Sequence, residues 1–127
     1  MKSYDSKNIF AKILSNEIAC KKVLETEYAL AFQDIKPQAP IHVLVIPKGS
    51  YVSIDDFLQC ATSEEIQDFW HAVGEVARKL KLTESGYRVL TNSGPNAHQE
   101  VMHFHVHILG GRPLGPMLEG GDTPLIS

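Results

Sequence analysis

The spacing of hydrophobic residues changes along the chain, and its most regular stretch follows residue 62. Apolar side chains there recur every three or four positions, which is the period of a helix with one buried face. Thr62 followed by Glu65 fits a capping box at its start. The pattern predicts one long helix of about 18 residues, with His71 on its solvent side. Its apolar stripe consists of Ile66, Phe69, Trp70, Val73, Val76, Ala77 and Leu80.

Two shorter segments also have helical patterns. Apolar residues at helical spacing within residues 8–15 predict a short helix near the start of the chain. These residues are Ile9, Phe10, Ile13 and Leu14. Ser53 followed by Asp56 fits a capping box in its acidic form, which predicts a helical turn through Leu58.

Five apolar runs are typical of β-strands. Residues 22–33 contain two of them, KVLET and ALAFQ, which fit a hairpin. The runs IHVLVIPK at 41–48 and YRVLTN at 87–92 add two more. The fifth, MHFHVHILGG at 102–111, alternates strictly between histidine and apolar residues over its central part.

The connections between these segments favour an antiparallel sheet, because the first strands follow each other through short links. We expect an α+β fold, with a five-stranded antiparallel sheet, one long helix and one or two short helices, all on one side of the sheet. The chain is predicted to form a single domain over residues 1–127, ending in a Gly- and Pro-rich tail at 111–127.

Composition excludes several classes of function. The net charge of the 127 residues is −3, with acids and bases interspersed, so no basic stripe is available for a nucleic-acid backbone. No apolar run is long enough to span a membrane, and the start MKSYDSKNIF lacks the apolar core of a secretory signal. Cys20 and Cys60 suit free thiols in a reducing cytoplasm, although a pairing between them stays open. We expect a cytoplasmic protein with neither nucleic acid nor membrane as partner.

The alternating segment carries most of the candidate chemistry. Residues two apart on a strand share a face, so His103, His105 and His107 should lie together while the residues between them face the core. Imidazole can act as nucleophile, acid or base near neutral pH. The sequence has no serine nucleophile elbow and no paired Cys and His signature. The best candidate nucleophile is therefore a histidine.

Other polar residues near strand ends can surround these histidines. They are Asp34, His42, Asn92, His98 and Gln99. A neutral imidazole attacks phosphorus well when an acceptor holds its second ring nitrogen. Flanking histidines can then handle the proton of the leaving group, and backbone N–H groups around Gln99 and Glu100 can add donors for the phosphate oxygens.

Two other interpretations of the histidine segment compete with catalysis. One is a surface strand with incidental histidines, and the other is a zinc site, since imidazole is a common zinc ligand. On a strand His103 and His107 would be roughly 13 Å apart, so all three histidines could hardly share one ion. Two of them could, but no CxxC or HExxH motif offers a further ligand. We therefore expect no metal and no cofactor.

The segment HFHVHIL resembles the His-φ-His-φ-His-φ-φ motif of the histidine triad (HIT) superfamily, where φ is apolar. Its Hint branch, the histidine triad nucleotide-binding proteins in their bacterial form, is similar to this chain in NIFAKIL, ALAFQDIKPQAPIHVLVIPK, GYRVLTN, QEVMHFHVHILGGR and PLGPML. The resemblance covers nearly the whole chain. It implies a HIT-like homodimer that hydrolyses purine nucleoside phosphoramidates, as AMP or GMP conjugates, without a metal. It also implies that the tail at 111–127 lies near the active site or the dimer interface.

The resemblance also implies a role for each matching residue. His105 matches the nucleophile that forms a nucleotidyl-histidine intermediate, and His107 matches the histidine that contacts the phosphate and assists the leaving group. His103 and His42 match two supporting histidines, and Asp34 matches the carboxylate that binds the ribose hydroxyls. The apolar pocket for the base matches Ile9, Phe10, Ile13, Phe32, Ile35 and Leu44, and Asn92 matches a phosphate-side asparagine.

Some positions and functions stay open. His98 stands where the family usually has a glycine near the phosphate, and Glu100 stands where animal members carry a serine, although bacterial members often have Glu. Asp34 could merely cap its own loop. The alternative functions are a non-enzymatic purine nucleotide-binding module, a zinc-binding protein, or a dinucleoside polyphosphate hydrolase as in the Fhit branch. Adenine and guanine are not distinguished, because an apolar slot holds either base by stacking.

Overall fold

The computed structural model describes residues 3–118. Its elements, in chain order, are α1 (Ile9–Leu14), β1 (Lys22–Glu25), β2 (Ala29–Gln33), β3 (Ile41–Pro47), α2 (Ile54–Cys60), α3 (Ser63–Lys79), β4 (Tyr87–Leu90) and β5 (Val106–Gly110), with a 3-10 turn at Pro95–Ala97. The strands form an antiparallel sheet in the order β1-β2-β3-β5-β4. The predicted α+β fold is confirmed. Among residues 3–118, no helix is long and apolar enough to cross a membrane.

The sheet is covered on both faces, so the expectation that all helices lie on one side is wrong. On one face α2 and α3 contribute Phe57, Phe69, Ala72, Val73 and Val76 to a core with alternate strand residues. On the other face Phe10 and Ile13 of α1 pack against Leu30, Phe32, Leu44 and Ile46. The reason lies in β3, where every residue after Ile41 is buried. A strand that is apolar on both faces needs a cover on each.

The long helix α3 begins as the sequence predicts. The Thr62 hydroxyl accepts the Glu65 N–H, and the Glu65 carboxylate accepts the Thr62 N–H, which completes the capping box. Trp70, expected on the buried stripe, is 36% exposed, whereas Ala72 is buried. The buried face is thus rotated slightly away from Trp70. His71 is exposed as predicted.

The capping box predicted at the start of α2 is wrong. Ser53 occupies the N-cap position, but its side chain makes no capping hydrogen bond. The Asp56 carboxylate instead accepts the N–H of Val52, at 2.8 Å. Asp56 therefore bonds the residue before the N-cap, and it fixes the loop that leads into α2.

The histidine strand is shorter than the predicted 102–111, because β5 begins only at Val106. The Phe104 N–H donates to the Tyr51 carbonyl and the Thr91 hydroxyl donates to the His105 carbonyl, both at 2.7 Å. Loop and side-chain partners thus replace the bonds of a neighbouring strand before Val106.

The alternation itself holds across this boundary. Phe104, Val106 and Ile108 are buried in the core under α3. The rings of His103 and His105 lie on the other face, with centroids 6.3 and 5.0 Å from that of Phe10.

Candidate active site

A cavity of about 480 Å³ opens on the face of the sheet that α1 covers, and this volume suits a small-molecule ligand. Its apolar lining residues include Ile9, Phe10, Ile13, Ile18, Phe32 and Leu44. Its polar lining residues include Asp34, Asn92, His98, Glu100, His105 and His107. An apolar slot and a group of imidazoles thus share one cavity.

The register of β3 and β5 explains this arrangement. Leu44 lies opposite His107, and His42 lies opposite Leu109. Because alternate residues of a strand share a face, His42 and Leu44 point to the same side as His107. The sheet therefore brings together histidines that are 65 residues apart in sequence.

His105 is held in a single tautomer. Its Nδ1 lies 2.7 Å from the carbonyl oxygen of His103, which can only accept, so Nδ1 carries the proton and Nε2 carries a lone pair. Burial lowers the pKa of His105, against the opposing effects of that hydrogen bond and of the Asp34 and Glu100 carboxylates. The ring is therefore neutral at pH 7 and has an unshared electron pair, as a nucleophile requires.

His42 and His107 are held in complementary tautomers by a second series of hydrogen bonds. The Gln38 backbone N–H donates to Nδ1 of His42 at 3.1 Å, so the proton of His42 lies on Nε2. That nitrogen is 2.9 Å from Nδ1 of His107, which accepts and leaves His107 with its N–H at Nε2. The ring centroids of His105 and His107 are 5.1 Å apart. The site thus combines one lone pair with one N–H donor.

Burial also keeps the neighbouring imidazoles neutral. It lowers the pKa of His107 to about 4, with further lowering by His105 and His42 and opposition from Asp34. Burial likewise lowers the pKa of His42, again opposed by Asp34. Because one carboxylate opposes the effect of burial, a bound phosphate anion should raise the pKa of His107 in the same way.

His103 supports the site from behind and does not line the cavity. Its side chain is completely buried, its Nε2 donates to the Pro47 carbonyl at 2.9 Å, and its Nδ1 accepts the Tyr4 hydroxyl. Its carbonyl oxygen is the group that orients His105. Tyr4 was not anticipated, because no local pattern marks a single tyrosine before the first helix as a partner of residue 103.

Burial of His103 makes stability depend on pH. Its pKa is lowered from 6.5 to about 4 by burial, so between these values the unfolded chain binds a proton that the folded chain does not. This contribution to stability is complete above pH 6.5 and is lost as the pH falls toward 4. One such histidine should lower the free energy of unfolding by roughly 1.5 to 2 kcal/mol between about pH 6.5 and pH 5. Urea denaturation of wild type and His103→Asn over this range checks the prediction, since the variant should have a shallower slope. Parallel slopes would contradict it.

Asp34 combines a structural contact with a place in the cavity. One carboxylate oxygen accepts the Lys36 N–H at 2.8 Å, which is the loop cap left open by the sequence. The other lies 3.4 Å from Nε2 of His42, and the side chain is 19% exposed. Loop capping is therefore present, and the same carboxylate lines the cavity.

Gln99 was expected to contact the substrate, but it is not among the residues that line the cavity. Its amide nitrogen donates to the carbonyl oxygens of Val52 and Val101, and its amide oxygen accepts the Gly94 N–H. Its backbone N–H, expected to face a phosphate, donates to the Gly94 carbonyl at 3.1 Å. Gln99 holds the loop together, whereas its neighbours His98 and Glu100 line the cavity.

The six residues predicted for the apolar pocket all line the cavity, but to different degrees. Ile35 is 83% exposed at its rim and Ile9 is 39% exposed, whereas the other four are buried. The segment Ile18 to Cys20 also lines the cavity and was missed. Its sequence NEIACKK has no periodicity that would have marked it.

A group of possible metal ligands also lies here. One ligand atom each of Asp34, His42 and His107 lies within 4.8 Å of the others. This trio differs from the three alternating histidines, and its nitrogen and oxygen donors are of the kind that zinc accepts. However, Nε2 of His42 carries the proton that bonds His107, while the Gln38 N–H occupies Nδ1. A metal on Nε2 would displace the proton, so metal binding and the observed hydrogen bonds exclude each other.

Comparison with known sequences adds independent observations. The HIT domain model matches residues 15–114. The chain is 38% identical to the purine nucleoside phosphoramidase of Escherichia coli (strain K12) over 110 residues, which cover 87% of this chain and 92% of that protein. It is 45% identical to a 14 kDa zinc-binding protein of Zea mays over 114 residues, covering 87% and 86% of the two chains.

A solved structure has the same fold. The HIT family hydrolase from Clostridium thermocellum superposes with a TM-score of 0.82 at 36% sequence identity. The match covers 91% of this chain and 99% of that one.

Proposed function

The chain belongs to the HIT domain family, and from this premise we propose that it hydrolyses purine nucleoside phosphoramidates through a nucleotidyl-histidine intermediate. The observation that carries the proposal is the tautomer of His105, which leaves Nε2 with a lone pair while Nδ1 is bonded to the His103 carbonyl. The likeness to a phosphoramidase at 38% identity supports the same class of substrate.

The reaction would take two displacements at phosphorus. In the first, Nε2 of His105 forms a bond to phosphorus, the phosphorus–nitrogen bond of the substrate breaks, and the amine leaves with a proton. In the second, water attacks phosphorus and the bond to His105 breaks, which releases the nucleoside monophosphate. His107, with its N–H at Nε2, would contact the phosphate and assist the amine.

The nucleoside would occupy the other part of the cavity. The base would stack in the apolar slot around Phe10 and Phe32, whose rings meet edge to face at a centroid distance of 5.6 Å. The ribose hydroxyls would reach Asp34, and Asn92 would face the phosphate side. Supporting contacts would come from His42, through His107, and from His103, through its carbonyl.

A substrate panel tests the function. Adenylated and guanylated amines should be hydrolysed with and without chelator, and the panel also measures the preference between the two bases. A purine nucleotide-binding module without enzymatic activity would bind the products and turn over none of the conjugates. A dinucleoside polyphosphate hydrolase would prefer a diadenosine polyphosphate to every amine conjugate.

Asp34→Ala should weaken a ribonucleotide far more than its 2′,3′-dideoxy analogue. Losing hydrogen bonds to a charged group costs about 1.5–3 kcal/mol, so roughly tenfold or more in affinity is expected for the ribonucleotide alone. Isothermal titration with both ligands measures the difference. Asp34→Asn is the matched control. It removes the charge of Asp34 but keeps the loop cap, because its amide oxygen can still accept the Lys36 N–H. Equal weakening of the two ligands in Asp34→Ala would mean that Asp34 acts only through its loop.

We also propose a homodimer, in the cytoplasm, where the free Cys20 and Cys60 would stay reduced. β4 is an edge strand, and its Tyr87 and Val89 are 40% and 41% exposed. Exposed apolar residues on a sheet edge favour a symmetric partner.

Light scattering at micromolar concentration should therefore return twice the 14.1 kDa mass of the chain. Val89→Lys should shift the protein toward monomer, because it places a charge on this edge. A monomer mass for the wild type would refute the dimer.

Zinc binding is the second candidate function, supported by the trio of Asp34, His42 and His107. It requires loss of the hydrogen bond between His42 and His107. Metal analysis of the purified protein and of His107→Ala tests it: stoichiometric zinc that disappears in the variant would favour this candidate. On the phosphoramidase account chelator leaves the rate unchanged.

A further inference from the structure

Two exposed ionisable side chains lie next to each other at the mouth of the cavity. Nε2 of His98 is 3.1 Å from a carboxylate oxygen of Glu100, and their side chains are 87% and 75% exposed. Both line the same cavity as His105 and His107.

The backbone presents this pair from a rigid loop. His98 has φ 60° and ψ 47°, in the left-handed region that favours glycine and that histidine tolerates better than most residues. Gln99, between the two, is tied to Gly94, Val52 and Val101. The loop is therefore fixed from both sides, and its two ionisable side chains point outward around the buried Gln99.

The two acidic residues that line the cavity come from different loops. Asp34 is next to His42 and is bonded to the backbone of Lys36, so it belongs to the loop after β2. Lys36 follows in that same loop. Among the described residues that line the cavity, it is the only lysine or arginine. Glu100 lies in the loop before β5, and both carboxylates raise the pKa of His105 against the effect of burial, Asp34 more than Glu100. Glu100 therefore places a carboxylate at the mouth of the cavity, beside the His98 ring.

The charge of Glu100 bears on the group that leaves in the proposed reaction. In a displacement at phosphorus the attacking and leaving atoms lie roughly in line on opposite sides. With His105 attacking, the leaving group would lie on the side of phosphorus away from His105. With the nucleoside against the apolar residues, that group would occupy the open part of the cavity that His98 and Glu100 line. We propose that Glu100, positioned by His98, selects leaving groups by charge, favouring cationic amines and disfavouring anionic ones. The inference rests on the proposed function and deepens it, since it names the class of amine.

The test compares three AMP phosphoramidates of similar length, whose leaving groups are butylamine, 1,4-diaminobutane and 4-aminobutyrate. Each variant is described by its kcat/KM for the cationic conjugate divided by that for the anionic one. Dividing this ratio by the wild-type ratio removes intrinsic differences in reactivity among the conjugates. Glu100→Gln should lower the ratio about two- to fivefold at low salt, the range of exposed charge pairs, and the effect should shrink as salt is added. Glu100→Lys should lower it further.

Variants at His98 test the positioning. His98→Gly keeps the left-handed backbone and removes the imidazole, so it should lower the ratio in the same direction as Glu100→Gln, but less. His98→Asn should restore part of it, because asparagine tolerates this conformation and its amide can donate to Glu100. Glu84→Gln is the matched control: the residue is exposed in the loop before β4, and its ratio should equal that of the wild type.

The outcomes separate this inference from the proposed function. No turnover of any conjugate by the wild type would overturn both. Turnover of the neutral conjugate with the same ratio in wild type and Glu100→Gln would overturn the charge selection alone. An equal fall of the ratio in Glu84→Gln would also overturn it, since the effect would then come from net charge.

Discussion

His105→Ala should lower the turnover of an adenosine phosphoramidate by several powers of ten, as when other covalent nucleophiles are removed. The reason is that neither His107 nor His103 offers the same lone pair. His107 uses Nδ1 to accept from His42, and His103 is buried outside the cavity with both ring nitrogens bonded. Affinity for a nucleoside monophosphate should survive, because Asp34 and the apolar slot are unchanged.

Steady-state kinetics and product titration measure the two effects of His105→Ala separately. His71→Ala is the matched control, because it removes an exposed histidine from α3. A thermal melt excludes unfolding as the cause, since His105 also packs against Phe10. Near-normal turnover in the variant would remove His105 from the mechanism.

His107→Ala should have an effect whose size depends on the leaving group. An alkylamine needs a proton to leave, so its conjugate should lose several powers of ten in kcat/KM. A conjugate with an activated leaving group such as a nitrophenolate needs no proton, and it should lose only the phosphate contact, on the order of 10²-fold. Kinetics with both substrates, compared as a ratio to the wild type, separate proton transfer from phosphate binding. An equal loss with both substrates would mean that His107 only binds the phosphate.

His42 offers a further comparison in the same experiment. It is not among the residues that line this cavity, and its Nε2 donates to Nδ1 of His107. His42→Ala frees His107 to take the other tautomer, so it should show the same dependence on leaving group as His107→Ala, but weaker.

Much of the fold follows from local patterns in the sequence. Alternation at His103 to Ile108 correctly separates the core face from the cavity face, because the period of a strand is fixed by its backbone. The capping box at Thr62 is equally local, since its two hydrogen bonds lie within one turn. The resemblance to the HIT superfamily, carried by the same alternation, is confirmed by the family match over residues 15–114.

What the sequence failed to predict depends on long-range contacts. The start of β5 at Val106 depends on Tyr51 and Thr91, which take hydrogen bonds that the alternation assigned to a ladder. The apolar run of β3 shows that both faces of the sheet need a cover, but it does not tell which helix lies on which face. Tyr4 reaches His103 across 99 residues of sequence. The tail was expected near the active site, and its last part, 119–127, lies outside the described residues.

The possible metal ligands are also brought together by long-range contacts. Strand spacing predicts that His103 and His107 are too far apart to share one ion, but it does not reveal that Asp34 and His42 converge on His107 from another strand and loop. The tautomer of His42 is equally invisible in the sequence, because a backbone N–H of Gln38 sets it.

The most direct test of the proposed mechanism is to trap the intermediate. Wild-type protein mixed with an adenylated amine and quenched in the first turnover should gain the mass of one nucleotidyl group in intact-protein mass spectrometry. Peptide mapping should locate that group on His105, whose Nε2 carries the lone pair. The adduct should form equally with chelator and should be absent in His105→Ala. Full turnover with no adduct at any quench time, or an adduct on another residue, would contradict a nucleotidyl-histidine at His105.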